Sequence, residues 1–329
     1  MARPRQSSGP WPVGTRAEHA KAHTSHHARN LRLAAARRTD GMIILCADDY
    51  ALTAGISRAI GELAAARRLS ATSAIVTTPH WPAMAQRLAV HRAHLAIGLH
   101  LNLTLGSPLG PMRKLAPAGT FPGLKALLRR IALSAFDGGE IRAEIERQLD
   151  HFEARLGFPP DHIDAHQHVH VLTSIRRPLL ETVVLRYPQR PPLIRNPADR
   201  LRTIIARRLA VPKAIAVSLL AAGFARAVGR RGLPSNDGFA GFSDFDLRRS
   251  YRKELSRAFE LPGRRHIVMC HPGHPDAELA ELDSVVERRR MEYTCLMRES
   301  ELQHLIWRPA RKSDGPGLFW PMFGPQLQE

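Results

Sequence analysis

Asp48 and Asp49 stand side by side at the end of an apolar run, residues 42–47. Two adjacent carboxylates are costly to bury unless a metal, a cation or a proton neutralises one of them. The pair therefore suggests a metal ligand beside a general base. Three further runs end in similar chemistry. Residues 95–99 lead to His100, with Asn102 two positions on. Residues 161–170, Asp-His-Ile-Asp-Ala-His-Gln-His-Val-His, are dense in imidazole and carboxylate. Residues 267–270 deliver His271-Pro272-Gly273-His274. A histidine at such a strand end titrates near neutral pH and suits a general acid. One metal, an Asp base and a His acid are the equipment of metal-assisted hydrolysis.

In an extended strand, Asp164, His166, His168 and His170 would share one face and Ile163, Ala165 and Val169 the other. Neighbours on that face are ~6.6 Å apart, too far for all of them to reach one ion at bonds near ~2 Å. The expectation is one ligand from this strand, with the others steering it or contacting substrate. The marks of competing chemistries are missing: the sequence has no GxSxG elbow, Walker A loop, GxGxxG fingerprint or HExxH helix.

Such residues need elements that gather strand ends. The 42–47 run reads as a buried parallel strand. Residues 53–68 read as a helix with Thr53 as N-cap and Ile56, Ile60 and Leu63 on its apolar face. Residues 70–76 and 95–101 read as strands, and 81–91 as a helix between them. A Pro/Gly-rich stretch at 106–123 is long enough to be a loop over the site. Helices follow at 124–135 and 139–156, then a strand at 162–168, a helix at 174–186 and a short strand at 193–195. Residues 198–231 are helical in pattern and 233–242 read as a site-side loop. Helices at 245–261 and 282–305 flank a strand at 266–270. Alternating strands and helices imply an α/β fold with six or seven parallel strands. Polar residues at so many strand ends favour a distorted or incomplete (β/α) barrel, with the active site at the C-terminal strand ends, over an open sheet.

Of the 329 residues, 44% are hydrophobic, enough for a sizeable core. Cys46, Cys270 and Cys295 share no CxxC spacing, which argues against a disulfide framework or zinc knuckle and fits a reducing cytoplasm. The formal charge is +18, but arginine is spread along the chain and aromatics are only 6%, so no specific nucleic-acid partner is expected. No run reaches the ~18–20 apolar residues of a transmembrane segment. Residues 1–40 are basic and lack a signal-peptide core, so they read as a disordered extension. Met42 offers a second place where the chain could start. One domain over 41–308 and an irregular tail over 309–329 complete the organisation. A homodimer is compatible with the sequence, which leaves the oligomeric state open.

Ala47-Asp48-Asp49-Tyr50, residues 97–104 (Ile-Gly-Leu-His-Leu-Asn-Leu-Thr) and residues 164–170 (Asp-Ala-His-Gln-His-Val-His) resemble motifs of the YdjC-like carbohydrate deacetylase family. So do Ile194-Arg195, residues 235–242 (Ser-Asn-Asp-Gly-Phe-Ala-Gly-Phe) and Met269-Cys270-His271-Pro272-Gly273. The resemblance implies a β/α-barrel-like fold and metal-dependent removal of acetyl groups from N-acetylated sugars or glycoconjugates. Carried over by motif, Asp49, His100 and His166 would bind one divalent metal ion. Asp48 would be the base that activates water, and His271 would protonate the leaving amine. Arg195 would contact substrate or steer Asp48; Asn102, His168 and His170 are the other substrate-side candidates. One Asp with two His suits magnesium, zinc or another divalent ion. The family often has glycine after the aromatic of its first motif, and Ala51 in that place argues against a positive φ. Two other readings compete. A metal-dependent phosphoesterase would normally need ligands for two metals. A non-catalytic sugar-binding protein on the same fold would need neither Asp48 nor His271.

Overall fold

Strand β1 (Met42–Tyr50) forms from the most continuously apolar part of the sequence and takes an inner place in the sheet. In the computed structural model, which describes residues 42–309 and residue 311, it pairs with β2 (Ala71–Ala74) on one side and β7 (Arg265–Cys270) on the other. The expected extension over 1–40 and most of the expected tail lie outside the described residues. β3 (Ala96–Leu101), β4 (His162–Ala165) and β5 (Leu193–Ile194) continue beyond β2, and β6 (Gly238–Ala240) lies outside β7. The order is β5-β4-β3-β2-β1-β7-β6, and every pairing is parallel. Strands buried on both faces need near-continuous apolar sequence, as β1 and β3 have. The sheet curls into an incomplete (β/α) barrel.

The barrel's two edges meet at a seam. Ile194 of β5 bridges in parallel to Ser235, three residues before β6, and its N–H donates to the Pro234 carbonyl at 2.8 Å. The Asn236 amide extends that contact. Its Oδ1 accepts from the Asn196 N–H at 2.7 Å, and its Nδ2 donates to the Asn196 and Gly238 carbonyls at 2.8 and 3.0 Å. A side-chain amide thus stands in for ladder bonds that the short edge strands lack.

Helix α1 (Ala54–Ala65) begins at the expected cap: Thr53 Oγ1 accepts from the Ile56 N–H at 3.3 Å, and Ile56, Ile60 and Leu63 are buried. α2 (Trp81–Ala89), α3 (Leu124–Ala132), α4 (Gly138–Leu156) and α5 (Thr173–Arg186) fall where apolar periodicity places helices. The 198–231 stretch forms three short helices, α6 (Leu201–Arg207), α7 (Val211–Leu220) and α8 (Phe224–Gly229). After α9 (Tyr251–Ala258) and β7 come α10 (Ala277–Leu282) and α11 (Glu287–Arg298). No helix among the described residues is long and apolar enough to cross a membrane.

Four expectations are corrected. The 162–168 strand stops at Ala165, and residues His166–Val171 turn into a 3-10 helix with Gln167 and His168 at φ 55° and 58°. Asp164, His166, His168 and His170 therefore do not share a strand face. The 233–242 stretch is not all loop, because it contains β6. Its Gly241 reads as a turn residue but is demanded by packing, since a Cβ there would lie 2.1 Å from the Met269 carbonyl oxygen. The expected 282–305 helix is shorter and preceded by α10, whose N-cap Asp276 accepts from the Leu279 N–H at 2.9 Å. Finally, Ala51 does adopt a positive φ, at 67°. Its N–H donates to Ser57 Oγ at 3.0 Å and its carbonyl accepts from Thr78 Oγ1 at 2.5 Å, so the peptides on both sides are pinned.

Candidate active site

Adjacent strand residues point to opposite faces, so Asp48 and Asp49 could not share a site on a regular strand. β1 solves this with a bulge. Ala47 pairs with Thr72 and Tyr50 with Ala74, which sets one extra residue against β2, and Asp49 sits at φ 69°. Both carboxylates are buried, Asp48 and Asp49 each 1% exposed.

Asp49, His100 and His166 come together from β1, β3 and the 3-10 turn after β4. Asp49 Oδ1 lies 3.0 Å from His166 Nδ1 and 3.3 Å from His100 Nε2. One oxygen and two imidazole nitrogens converge within 4.8 Å. Two donors bound ~2.1 Å from one ion at tetrahedral or octahedral angles sit ~3.0–3.4 Å apart, so this spacing fits a divalent cation. The remaining oxygen, Asp49 Oδ2, accepts from Arg289 Nη2 of α11 at 2.6 Å. Burial pushes the Asp49 carboxyl up, but Arg289, His166 and His100 outweigh it and hold it well below the usual carboxylate range.

Asp164 backs this cluster. It accepts from His100 Nδ1 at 2.6 Å, which turns Nε2 toward Asp49, the carboxylate–histidine arrangement that orients metal-ligating imidazoles. Burial would push His100 down; Asp164 and Asp49 reverse this and raise it to about 10. Arg195, fully buried after β5, closes the charge network. Its Nη1 and Nη2 donate to Asp48 Oδ1 and Oδ2 at 2.7 and 2.8 Å, and Nη1 lies 2.8 Å from Asp164 Oδ2. A two-pronged guanidinium fixes both the position and the plane of the Asp48 carboxylate. Three buried carboxylates, Asp48, Asp49 and Asp164, face the two guanidiniums of Arg195 and Arg289 and the His100 imidazole.

His271 follows β7, and its N–H donates to Glu292 Oε2 of α11 at 2.6 Å. Its ring packs edge-on to Phe245 at 5.8 Å. Burial pushes the imidazole down to about 4, with Arg289 and Lys213 adding to that effect and Asp49 and Asp48 opposing it. His271 thus rests neutral near pH 7, and gives up a proton readily once charged.

The other sequence candidates are placed differently. Asn102 spends its side chain on the chain itself, donating to Thr77 Oγ1 and the Leu105 carbonyl and accepting from the Thr104 and Leu105 N–H groups. That fully buried amide shapes the loop after β3. His170 is also fully buried; its Nε2 lies 2.7 Å from the Arg195 carbonyl and its ring packs on Phe224. It stands behind Arg195 rather than at the mouth. His168 is partly exposed and packs edge-on to Phe239 and Phe242, whose rings also meet each other. With Arg195 stacked 5.6 Å from Phe239, this makes an aromatic wall beside the acids.

Two members of the site were not singled out by sequence reasoning. Ser73 Oγ lies 3.0 Å from His100 Nδ1 and 3.4 Å from Asp48 Oδ1, opposite the bulge. Arg289 sits in Arg288-Arg289-Arg290, a run that looks like a solvated helix face. Only the tertiary fold shows that Arg288 and Arg289 are each 1% exposed while Arg290 is not buried.

Comparison with known proteins gives these residues a context. A carbohydrate deacetylase of Mus musculus is 31% identical over 248 residues, covering 71% of this chain and 78% of its own. A chitooligosaccharide deacetylase of Serratia marcescens is 29% identical over 243 residues, covering 73% and 85%. The fold is shared with a crystal structure from Enterococcus faecalis described as a candidate cellobiose-phosphate cleavage protein. That match has a TM-score of 0.58 at 22% identity and covers 81% of this chain and 94% of that one. The model of the YdjC-like protein family matches residues 42–309, which hold every side chain of the cluster, and the chain belongs to that family.

Proposed function

We propose that this protein is a metal-dependent hydrolase that removes acetyl groups from N-acetylated sugars, releasing acetate and a free amine. The observation that carries the reading is the Asp49–His100–His166 cluster set directly beside an arginine-clamped Asp48. Relatives named for deacetylation of carbohydrates and chitooligosaccharides support a sugar amide as the substrate.

Asp49, His100 and His166 would hold one divalent ion, magnesium or zinc, which supplies Lewis acidity and a more acidic bound water. Asp48 takes the proton from water as it adds to the acetyl carbon. Arg195 occupies one lone pair on each Asp48 oxygen, so the carboxylate is held and aimed while a lone pair remains for the proton. The proton that Asp48 takes from water passes to His271 and from His271 to the nitrogen as the C–N bond breaks, so both groups end as they began. Asp164 keeps the His100 ring in register through Nδ1. The three cysteines form no disulfide, in keeping with a cytoplasmic setting.

The test is acetate release from N-acetylglucosamine oligomers and simple N-acetyl glycosides, in EDTA and then with added divalent ions. Acetate should appear only when the ion is restored. Asp48→Asn should lower kcat by at least about a hundredfold while calorimetry shows the ion still bound. Ion binding without acetate from any such sugar would overturn the reading.

A further inference from the structure

Residues 200–236, the part of the β5–β6 connection between Asp199 and Asp237, contain seven arginines and one lysine and no Asp or Glu. Arg207 is spent internally on Asp199 at 2.8 Å, but Arg200, Arg202, Arg208, Lys213, Arg226 and Arg230 are exposed. The same segment shows large apolar side chains to solvent. Leu201 and Ile205, one turn apart on α6, are 57% and 53% exposed, and Leu219 and Leu220 at the end of α7 are 70% and 50% exposed. The inner faces of these helices are already satisfied, since Ile204, Ala214, Phe224 and Val228 are buried. The outward leucines are therefore surplus to the core.

We propose that α6–α8 form a docking surface for an anionic phospholipid bilayer, with the leucines and isoleucine entering the interface and the arginines pairing with lipid phosphates. Amphipathic helices with basic polar faces bind membranes by this combination, without spanning them. Charge complementarity selects this occupant. A second copy would set one arginine-rich face against another, which two-fold contact makes repulsive. Single-stranded nucleic acid would call for exposed aromatics to stack on, and Phe224, the sole aromatic of the segment, is fully buried. The surface also borders the candidate site. Lys213 of α7 stands 4.6 Å above the Phe245 ring, which packs on His271.

The experiment is co-sedimentation of the full-length protein with phosphatidylglycerol-containing and pure phosphatidylcholine vesicles across a salt series. Wild type should pellet with the anionic vesicles and release as salt rises. Arg226→Glu/Arg230→Glu should weaken that binding at least about tenfold. Leu219→Ser/Leu220→Ser should weaken the fraction that survives at high salt. All four positions are exposed, and an unchanged Tm would show that the variants fold. Every variant keeps the basic residues 1–40, so binding that survives the patch substitutions would belong to that segment and overturn the proposal. Equal binding to neutral vesicles would also overturn it. So would Leu219→Ser/Leu220→Ser leaving vesicle binding intact while the arginine variant loses heparin, which would mark a plain polyanion site. A patch-dependent dimer on gel filtration that binds no vesicle would overturn it in favour of self-association.

Discussion

Asp49 and Ala51 bracket Tyr50 with positive φ angles, and neither is glycine. A side chain in this region costs about 1 kcal/mol, offset here by the hydrogen bonds on both sides of Ala51. Ala51→Gly should therefore raise stability by roughly 1 kcal/mol, read from urea unfolding, with no change in the site. Arg195 carries the opposite kind of sensitivity. Lysine cannot reach Asp48 with two prongs or span to Asp164, so Arg195→Lys should lose roughly 2–4 kcal/mol of stability. It should also lower kcat more than it changes KM, because the base is misaimed while the rest of the pocket persists. At this scale the sequence was informative about residue types. Acids and imidazoles at strand ends are visible as such, and Asp48, Asp49, His100 and His166 meet as their motifs imply. It was silent about Arg289, because burial of one arginine in a run of three depends on how α11 packs. Ala51 misled for a related reason: a small side chain tolerates a strained turn when neighbours fix both peptides.

Elements were legible where the apolar pattern was long. β1, β3, α1, α4 and α5 match their periodicity closely. The pattern failed where a segment is short or changes conformation partway. His166–Val171 alternates like a strand yet turns away from the sheet, because the backbone at Gln167 and His168 goes left-handed just after β4. β6 is three residues that start on Gly238 and are followed by Gly241, and its signal is the lack of room for a side chain rather than hydrophobicity. That gives a sharp prediction. Gly241→Ala would put a Cβ against the Met269 backbone at φ 106°, and neither partner can rotate away. The cost should be at least about 3 kcal/mol, seen as a lowered urea midpoint or loss of soluble protein.

For the molecule as a whole, buried titratable groups set the acid response. His170 and His266 are fully buried and held neutral, pushed down by burial to about 4 and about 3. Below the ordinary histidine value of 6.5 the unfolded chain takes up protons that these two sites refuse, so stability falls with pH until the folded values are reached. Glu292 works the other way. Burial raises it to about 7, so it gains a proton early in the folded state and is stabilising on acidification down to its ordinary 4.5. His271, also pushed down to about 4, makes a third loss, and three losses against one gain leave a net drop of roughly 4–5 kcal/mol between pH 6.5 and 4.5, measurable as a falling urea midpoint. His266→Gln should flatten that slope by about half. The barrel class was readable from the alternation of elements and their polar ends. How its two edges meet was not, since that rests on one isolated bridge and the Asn236 amide between two short edges.

That seam has a consequence for how the family can vary. The chain leaves the barrel after Ile194 and returns at Ser235, and those two residues are bridged to each other. Everything between departs from and comes back to one point, tied off by Asn236. Beyond Arg195 and Asn196, which hold Asp48 and the seam, the segment can lengthen, shorten or be replaced while the strand order and the acid–histidine cluster stay as they are, because loop length costs little once the ends are fixed. The three basic helices are in this sense a cartridge, seated beside the candidate site. What the protein docks against can diversify there while the barrel around Asp49, His100 and His166 keeps its form.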